Sequence, residues 1–206
     1  MKKVDVSIII TNHNYGNYLQ RCLRSCINQQ NCNVEVIVID DCSTDNTTDV
    51  VKPFLNDIVF IQNKKNVGVA EASNIGIRAS KGQYIIRVDA DDYVSLDMCY
   101  FMEYYLKKNN NIVGVSCDYL MVDDNENKIE RKYASKENIS CGIMYRKDFL
   151  TDNGGYNISM RHREEEELRK RLGDDYKIDH LNIPFYRYRM HNHNKTKEPE
   201  YKTWEI

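Results

Sequence analysis

The residues best suited to chemistry fall in short clusters. Asp89-Ala90-Asp91-Asp92, Asp40-Asp41 and Thr11-Asn12-His13 each follow an apolar, β-type run. Two aspartates one residue apart on a strand-end turn can both direct oxygens at a hard cation such as Mg²⁺ or Mn²⁺, which in turn binds phosphate. Crowded carboxylates repel one another unless a cation or hydrogen-bond donors lie between them. The plain alternative makes Asp40 and Asp91 helix caps and turn residues, where Asp is common. It serves well for one cluster and poorly for both in this order. A fourth cluster, Glu164-Glu165-Glu166-Glu167, reads on composition alone as an acid-rich, solvated first turn of a helix. Asn12-His13 opens NHNYGNY rather than G-x-G-x-x-G, and no Walker lysine loop occurs. A dinucleotide site is therefore disfavoured, and a bridging metal is left as the means of holding phosphate.

These clusters need a scaffold that brings them to one edge. Val6–Ile10, Val34–Ile39, Ile58–Ile61 and Tyr84–Val88 have strand composition and alternate with helical stretches. The spacing of Tyr18, Leu19, Cys22, Leu23, Cys26 and Ile27 predicts a helix capped by Asn17. The Ser43–Thr48 cluster predicts a cap for a helix near Val50–Leu55, and Val69–Ala79 predicts a small-residue helix. Ser95 is expected to cap a helix with Leu96, Cys99, Met102 and Leu106 on one face. A long strand over Val113–Val122 follows, then a turn at Asp123–Lys128. A charged helix at Glu164–Leu172 and strands near Ile178 and Phe185–Met190 complete the pattern. The expected fold class is α/β, with a mainly parallel, Rossmann-like central sheet, helices on both faces and a smaller antiparallel C-terminal part. Ligands of such sheets bind beyond the carboxyl ends of the strands, where the clusters fall.

Composition narrows the function classes. The chain of 206 residues is expected to form one domain, and its net charge of -2 argues against a nucleic-acid partner held by bulk electrostatics. No run approaches the roughly 18–20 apolar residues of a membrane span, and MKKVDVSIII lacks a cleavage site. Seven cysteines without a C-x-x-C pair read as free thiols in a reducing cytoplasm.

The segments SIIITNHNYGNYL, VIVIDDCSTDNT, NVGVAEASNIGI, GQYIIRVDADD and REEEELRKRLG resemble, in order and spacing, those of family 2 glycosyltransferases with the GT-A fold. The resemblance runs from Val6 to Thr196 and implies an inverting transferase that uses a nucleotide-diphosphate sugar and a divalent metal, Mn²⁺ or Mg²⁺. It implies a nucleotide-binding half at about residues 1–92 and an acceptor and catalytic half at about 93–206. Thr11, Asn12 and His13 match positions beside the nucleotide base, where the His13 ring could stack. Asp41, with Asp40 beside it, matches the carboxylate that accepts the base N–H. Asp89-Ala90-Asp91 matches the D-x-D motif, with Asp89 facing the ribose or the metal shell, Asp91 a metal ligand and Asp92 behind them.

The acidic run resembles the family's E-D-x-x-L-x-x-R-L helix, which sets Glu165 at the general-base aspartate and leaves Glu164 as the alternative one residue earlier. Gly154-Gly155-Tyr156 precedes that helix as in the family pattern. YRYRMHNHNKT resembles the family's Y-R-x-H-x-x-N segment, so His191 would approach the metal or the diphosphate, with Arg189 and Asn194 nearby. The chain departs from the pattern at Ser73, where relatives often carry Arg before Asn74; any diphosphate or base contact from that arginine is then absent, or supplied by Arg78 or Arg87. The implied acceptor is a glycan or a lipid-linked sugar, and the setting cytoplasmic or peripheral at the inner face of a membrane. Tyr186, Arg187, Tyr188 and Arg189 read either as an acceptor or membrane-facing surface or as an alternating strand. Two other functions stay open on the residues: a nucleotide-sugar binder without turnover, and a phosphotransferase or phosphatase with Asp89 as nucleophile, which Asp92-Tyr93 fits poorly.

Overall fold

The computed structural model describes residues 3–137, 139–160, 162–173, 176–192 and 194; Thr196, where the resemblance ends, lies outside them. β1 (Val6–Asn12) is buried along nearly its whole length, as a central parallel strand must be. Its alternation decides the two faces of the sheet: Val6, Ile8 and Ile10 join one apolar cluster and Ile9 the other. β2 (Val34–Asp40) and β4 (Tyr84–Asp89) flank β1 in parallel, and β3 (Ile58–Gln62) lies beyond β2. Parallel registry brings Asn12 level with Asp40 and Thr11 level with Asp89, so the polar clusters share one edge.

Helices cover both faces. α1 (Gly16–Ile27) packs Leu19, Cys22, Leu23 and Cys26 on the first, joined by Val51 of the short α2 (Thr47–Val51). α3 (Val69–Ala79) packs Ala70, Ala72 and Ile77 on the second. α4 (Met98–Lys108) returns to the first face, while α5 (Lys147–Asp152) and α6 (Glu164–Leu172) add Phe149, Leu150 and Leu168 to the second. Each fully enclosed Leu or Ile contributes about 1.5–3 kcal/mol through lost apolar surface.

Beyond β4 the sheet changes direction. β8 (Ile143–Arg146) is antiparallel to both β4 and β6 (Gly114–Val122), and β7 (Lys128–Lys132) folds back on β6. β9 (Ile178–Arg189) runs parallel to β6 and pairs antiparallel with β5 (Tyr93–Val94). The order is β3-β2-β1-β4-β8-β6-β9-β5, with β7 beside β6. The fully buried Asp118 pins this half where β6 shifts register on β9. It accepts from Arg131 Nη2 at 2.6 Å, His180 Nε2 at 2.7 Å and the Ala134 amide at 3.2 Å. The α/β class, the mainly parallel sheet and the antiparallel C-terminal additions agree with the sequence expectation.

Several local expectations are corrected. Asn17 caps nothing: α1 begins at Gly16, whose amide donates to Asp45 Oδ2 at 2.8 Å. Partial burial opposes ionisation of Asp45, but bonds from the Thr47 hydroxyl and from the Gly16 and Thr47 amides hold it below the ordinary carboxylate range. The second helix covers Thr47–Val51 and tightens into a 3-10 turn over Lys52–Phe54, because Pro53 has no amide to continue an α-helix. α4 starts at Met98, not after Ser95; Leu96 is exposed, and the Ser95 hydroxyl accepts from Arg187 Nη1 at 2.6 Å. The two strands expected near Ile178 and Phe185 are one, and β5, β8 and α5 were not expected.

Candidate active site

The polar strand ends open into a cleft of ≈ 850 Å³. One wall carries Thr11, Asn12, His13 and Asp41. Asp41 Oδ1 accepts from Asn63 Nδ2 at 2.9 Å and the Val67 amide at 2.8 Å, and among the described residues Oδ2 accepts the Gly68 amide alone, at 2.8 Å. These neutral donors fix the carboxylate and leave acceptor capacity on Oδ2. His13 Nδ1 lies 2.8 Å from the Asp41 carbonyl. A carbonyl can only accept, so Nδ1 carries the proton and the ring is oriented. Asp40 is not on the cleft wall. It is fully buried and binds Gln62 Nε2 at 2.9 Å and Asn12 Nδ2 at 3.2 Å, which makes it a brace for the strand end. Asn12 does reach the cleft, and its buried Oδ1 has no partner among the described residues.

The turn after β4 places Asp89, Ala90 and Asp91 on the cleft floor. Asp91 Oδ2 lies 2.8 Å from His191 Nε2, across a sequence separation of 100. The His191 ring stacks on Tyr18 with centroids 4.6 Å apart and meets Tyr15 edge-on. Arg189 Nε donates to the Asp91 carbonyl at 3.0 Å, and Asn194 bridges the His191 amide and the Arg189 carbonyl. Asp92 points away from the cleft, accepting from Tyr186 Oη at 2.7 Å and from the Arg189 amide at 2.8 Å. Burial raises its pKa well above the usual range, and Asp91 and Asp89 add to the shift.

Ligand-type atoms of Asp89, Asp92 and Cys141 lie within 4.8 Å of one another. Asp92 is committed to protein donors, however, and burial pushes the Cys141 thiol up, so it stays protonated. Asp91 and His191 do not join that cluster, but they offer an adjacent carboxylate and imidazole, 2.8 Å apart, of the type that could take Mn²⁺ or Mg²⁺. The shared hydrogen of the Asp91–His191 pair would give way to the ion.

The opposite wall is the first turn of α6, where Glu164 and Glu165 are both buried. Glu164 Oε1 accepts from Arg87 Nη1 at 2.5 Å, and Arg87 also lies 3.4 Å from Asp89 Oδ1. Glu165 accepts the Tyr145 hydroxyl and Arg169 Nε, at 3.2 Å, on Oε1, and the Tyr156 hydroxyl at 3.1 Å on Oε2. Burial raises its pKa, against the pull of Arg169, Tyr145 and Arg87. A raised carboxylate pKa suits a group that must take up a proton near neutrality. Tyr156 is held by Asn74, which donates Nδ2 to its carbonyl at 2.8 Å and accepts its amide at 2.9 Å. The approach requires Gly155, at φ +67, where a Cβ would lie 2.5 Å from Asn74 Oδ1.

Ser73 is buried and donates to the Val69 carbonyl. Of the two arginines that could replace the missing one, Arg87 lines the cleft, while Arg78 is exposed and pairs with Glu71. The Tyr186–Arg189 segment is an alternating strand, with Tyr186 buried on Asp92 and Tyr188 in the cleft. Sequence reasoning missed Tyr15, Tyr18, Tyr145 and Arg169 as site residues. Only Arg169 had a signal, its i+4 spacing from Glu165.

Residues 7–173 match Glycosyl transferase family 2. The chain belongs to this family. It is 32% identical to chondroitin synthase of Pasteurella multocida (strain Pm70), over 92% of this chain but 21% of that protein. It is 30% identical to WfaP of Escherichia coli, a UDP-Glc:alpha-D-GlcNAc-diphosphoundecaprenol beta-1,3-glucosyltransferase, over 94% of this chain and 82% of the relative. Among solved structures, Staphylococcus aureus TarS 1-349 in complex with UDP-GlcNAc superposes with a TM-score of 0.79 at 19% identity, covering 98% of this chain and 62% of that one. The fold is thus the GT-A fold of glycosyltransferases. The chain spans only about a fifth of the chondroitin and hyaluronan synthases it matches. As a family 2 member it is a glycosyltransferase, and among the described residues no helix is long and apolar enough to cross a membrane.

Proposed function

We propose that this chain moves a sugar from a nucleotide-diphosphate sugar, UDP-sugars favoured, to a hydroxyl of a glycan or lipid-linked acceptor, with inversion at the anomeric carbon. One observation carries the reading: Asp41, the Asp89–Asp91 turn and Glu165 line a single cleft. Asp41 Oδ2 accepts the base N–H while the oriented His13 ring stacks on the base, and Asn12 Oδ1 accepts from the nucleotide. Asp89, Asp91 and His191 would hold Mn²⁺ or Mg²⁺. When bound, that ion neutralises charge growing on the diphosphate as the sugar C1–O bond breaks.

Glu165 takes the proton of the acceptor hydroxyl, which attacks the face of C1 opposite the departing diphosphate. One base and one displacement invert the centre, by the same logic that separates inverting from retaining glycosidases. Tyr145, Tyr156 and Arg169 hold the carboxylate at the correct angle, and Arg87 holds Glu164. The wall of Tyr119, Met121, Tyr188 and Met190 is left for the acceptor. The two relatives' names, chondroitin synthase and an undecaprenol-linked glucosyltransferase, support a glycan or lipid-linked acceptor.

A thermal-shift screen of UDP-, GDP-, dTDP- and CMP-sugars with Mn²⁺, followed by nucleoside diphosphate release, tests this reading. Asp91→Ala is expected to abolish both transfer and metal-dependent nucleotide binding. Full activity in that variant would remove the metal assignment. Tight donor binding without diphosphate release from the native chain, acceptor supplied, would replace the enzyme by a nucleotide-sugar binder.

A further inference from the structure

The turn that carries Asp89–Asp91 is braced from behind by one arginine. Arg189 is buried; its Nε donates to the Asp91 carbonyl at 3.0 Å and its amide to Asp92 Oδ1 at 2.8 Å. The rest of its guanidinium enters the tip of the β6–β7 hairpin. There Nη1 donates to the Asp124 carbonyl at 3.2 Å and Nη2 lies 3.4 Å from Glu126 Oε1. Arg21 of α1 donates Nε to the same carboxylate at 3.0 Å. Both guanidiniums lie over the Tyr93 ring, at 4.1 Å for Arg21 and 5.5 Å for Arg189. Among the described residues, Glu126 is the one carboxylate in ion-pair range of either arginine. Partial burial opposes its ionisation, but the two arginines hold its pKa below the ordinary range. Asp123 sets it in place by accepting the Asn125 and Asn127 amides at 2.9 and 2.8 Å, which closes the turn with Glu126 at φ +63.

We propose that Glu126 is a positioning residue for the metal: by neutralising Arg189 it lets that arginine hold the Asp91 carbonyl without repelling a divalent ion at Asp91 and His191. The inference rests on the metal assignment within the glycosyl-transfer reading. Glu126 does not line the cleft, so it acts through Arg189 rather than on the nucleotide or the ion. Arg189 is enclosed, and water screens its charge poorly. An uncompensated cation there lowers the affinity of Asp91 and His191 for a second cation, and it strengthens the attraction for a diphosphate. With Glu126 opposite, both effects are largely cancelled and the directional hydrogen bond to the turn remains. Without it, two like charges would share one aromatic ring and no carboxylate.

Two measurements on the full chain test this. Mn²⁺ binding without nucleotide is read from loss of the free-ion electron paramagnetic resonance signal, and UDP binding in EDTA from isothermal titration; GDP takes the place of UDP if it is the nucleotide that binds. Glu126→Gln is expected to bind Mn²⁺ about 3- to 10-fold more weakly, the scale of one partly exposed charge, while its metal-free affinity for UDP stays level or rises. Glu126→Asp keeps the charge and should stay within about 2-fold of the native chain for the ion. Opposite signs for ion and nucleotide are the mark of charge, because damage to the turn would weaken both. Native Mn²⁺ affinity in Glu126→Gln, equal weakening of Mn²⁺ and UDP, or an Asp variant as weak as the Gln one overturns the inference and leaves glycosyl transfer standing. A native chain that takes up no Mn²⁺ also overturns it, and if Mn²⁺ fails to tighten UDP as well, the metal assignment falls with it. Failure of UDP and GDP alike to bind, with Mn²⁺ or without, overturns the transfer reading and this inference together.

Discussion

Replacing Glu165 separates its chemistry from its structural role. The carboxylate accepts from two buried tyrosine hydroxyls and from Arg169. Glu165→Ala strands both hydroxyls, at about 1–3 kcal/mol for each unsatisfied group. Arg169 keeps some contact with water, its side chain being 26% exposed, and adds little to that cost. A loss of about 3 kcal/mol lowers the Tm of a domain this size by roughly 6–12 °C.

Glu165→Gln is different. Its amide oxygen accepts from one tyrosine, and the other hydroxyl can rotate to accept from the amide N–H. The buried charge disappears as well, so the net change is within about 1 kcal/mol. The pH dependence follows from the raised pKa. The folded state holds the Glu165 proton more tightly than the unfolded chain, so its contribution to stability is complete below the ordinary Glu value and is lost as pH rises through the raised one. The native protein should lose stability through that window, and Glu165→Gln should lose less, since the buried Asp92, whose pKa is also raised, titrates in both. Turnover should fall by about 10²–10⁴ in the Gln variant, the usual range for a lost general base. Thermal melts from pH 4 to 8 and nucleotide release measure these quantities. A Gln variant that melts as low as the Ala variant, or that keeps native turnover, refutes the reasoning.

Other perturbations test the supports. Gly155→Ala forces a left-handed residue against Asn74 and should cost about 2–3 kcal/mol by chemical denaturation, with a matching loss of turnover as Tyr156 shifts. Asp118→Ala removes the shared acceptor of Arg131, His180 and the Ala134 amide, and should cost about 3–5 kcal/mol in a urea melt.

The strand and helix rhythm of residues 6–89 was legible because each element there is long, periodic and bounded by turn residues. Val69–Ala79 and Glu164–Leu172 are helices to the residue. The antiparallel half was harder. β5 has two residues and β8 four, too few for a period to show, and both are held by pairing with distant strands. Asn17 and Ser95 were plausible caps by residue type, but Asp45 from another loop caps α1 and an arginine from β9 takes Ser95. The D-x-D turn was readable as a local pattern. The environment of Glu165 was not, since Tyr145 and Tyr156 reach it from separate segments and nothing in their spacing marks them. Asp40 and Asp41 look alike in sequence, and only the sheet decides that one braces the strand while the other faces the cleft.

Tyr186 carries a consequence for the order of assembly. Its hydroxyl binds Asp92 and accepts the Asp89 amide, joining positions 94 and 97 residues apart, and His191 reaches back 100 residues to Asp91. Contacts of such span form late, because the intervening chain must first surrender its loop entropy. A nascent chain can therefore build β1 to β4, with the Asp41 end of the cleft, long before the Asp89–Asp92 turn acquires its final shape. On the glycosyl-transfer reading proposed above, affinity for the nucleotide base and competence for transfer would mature at different times, and β9 is the element that would bring the second into being.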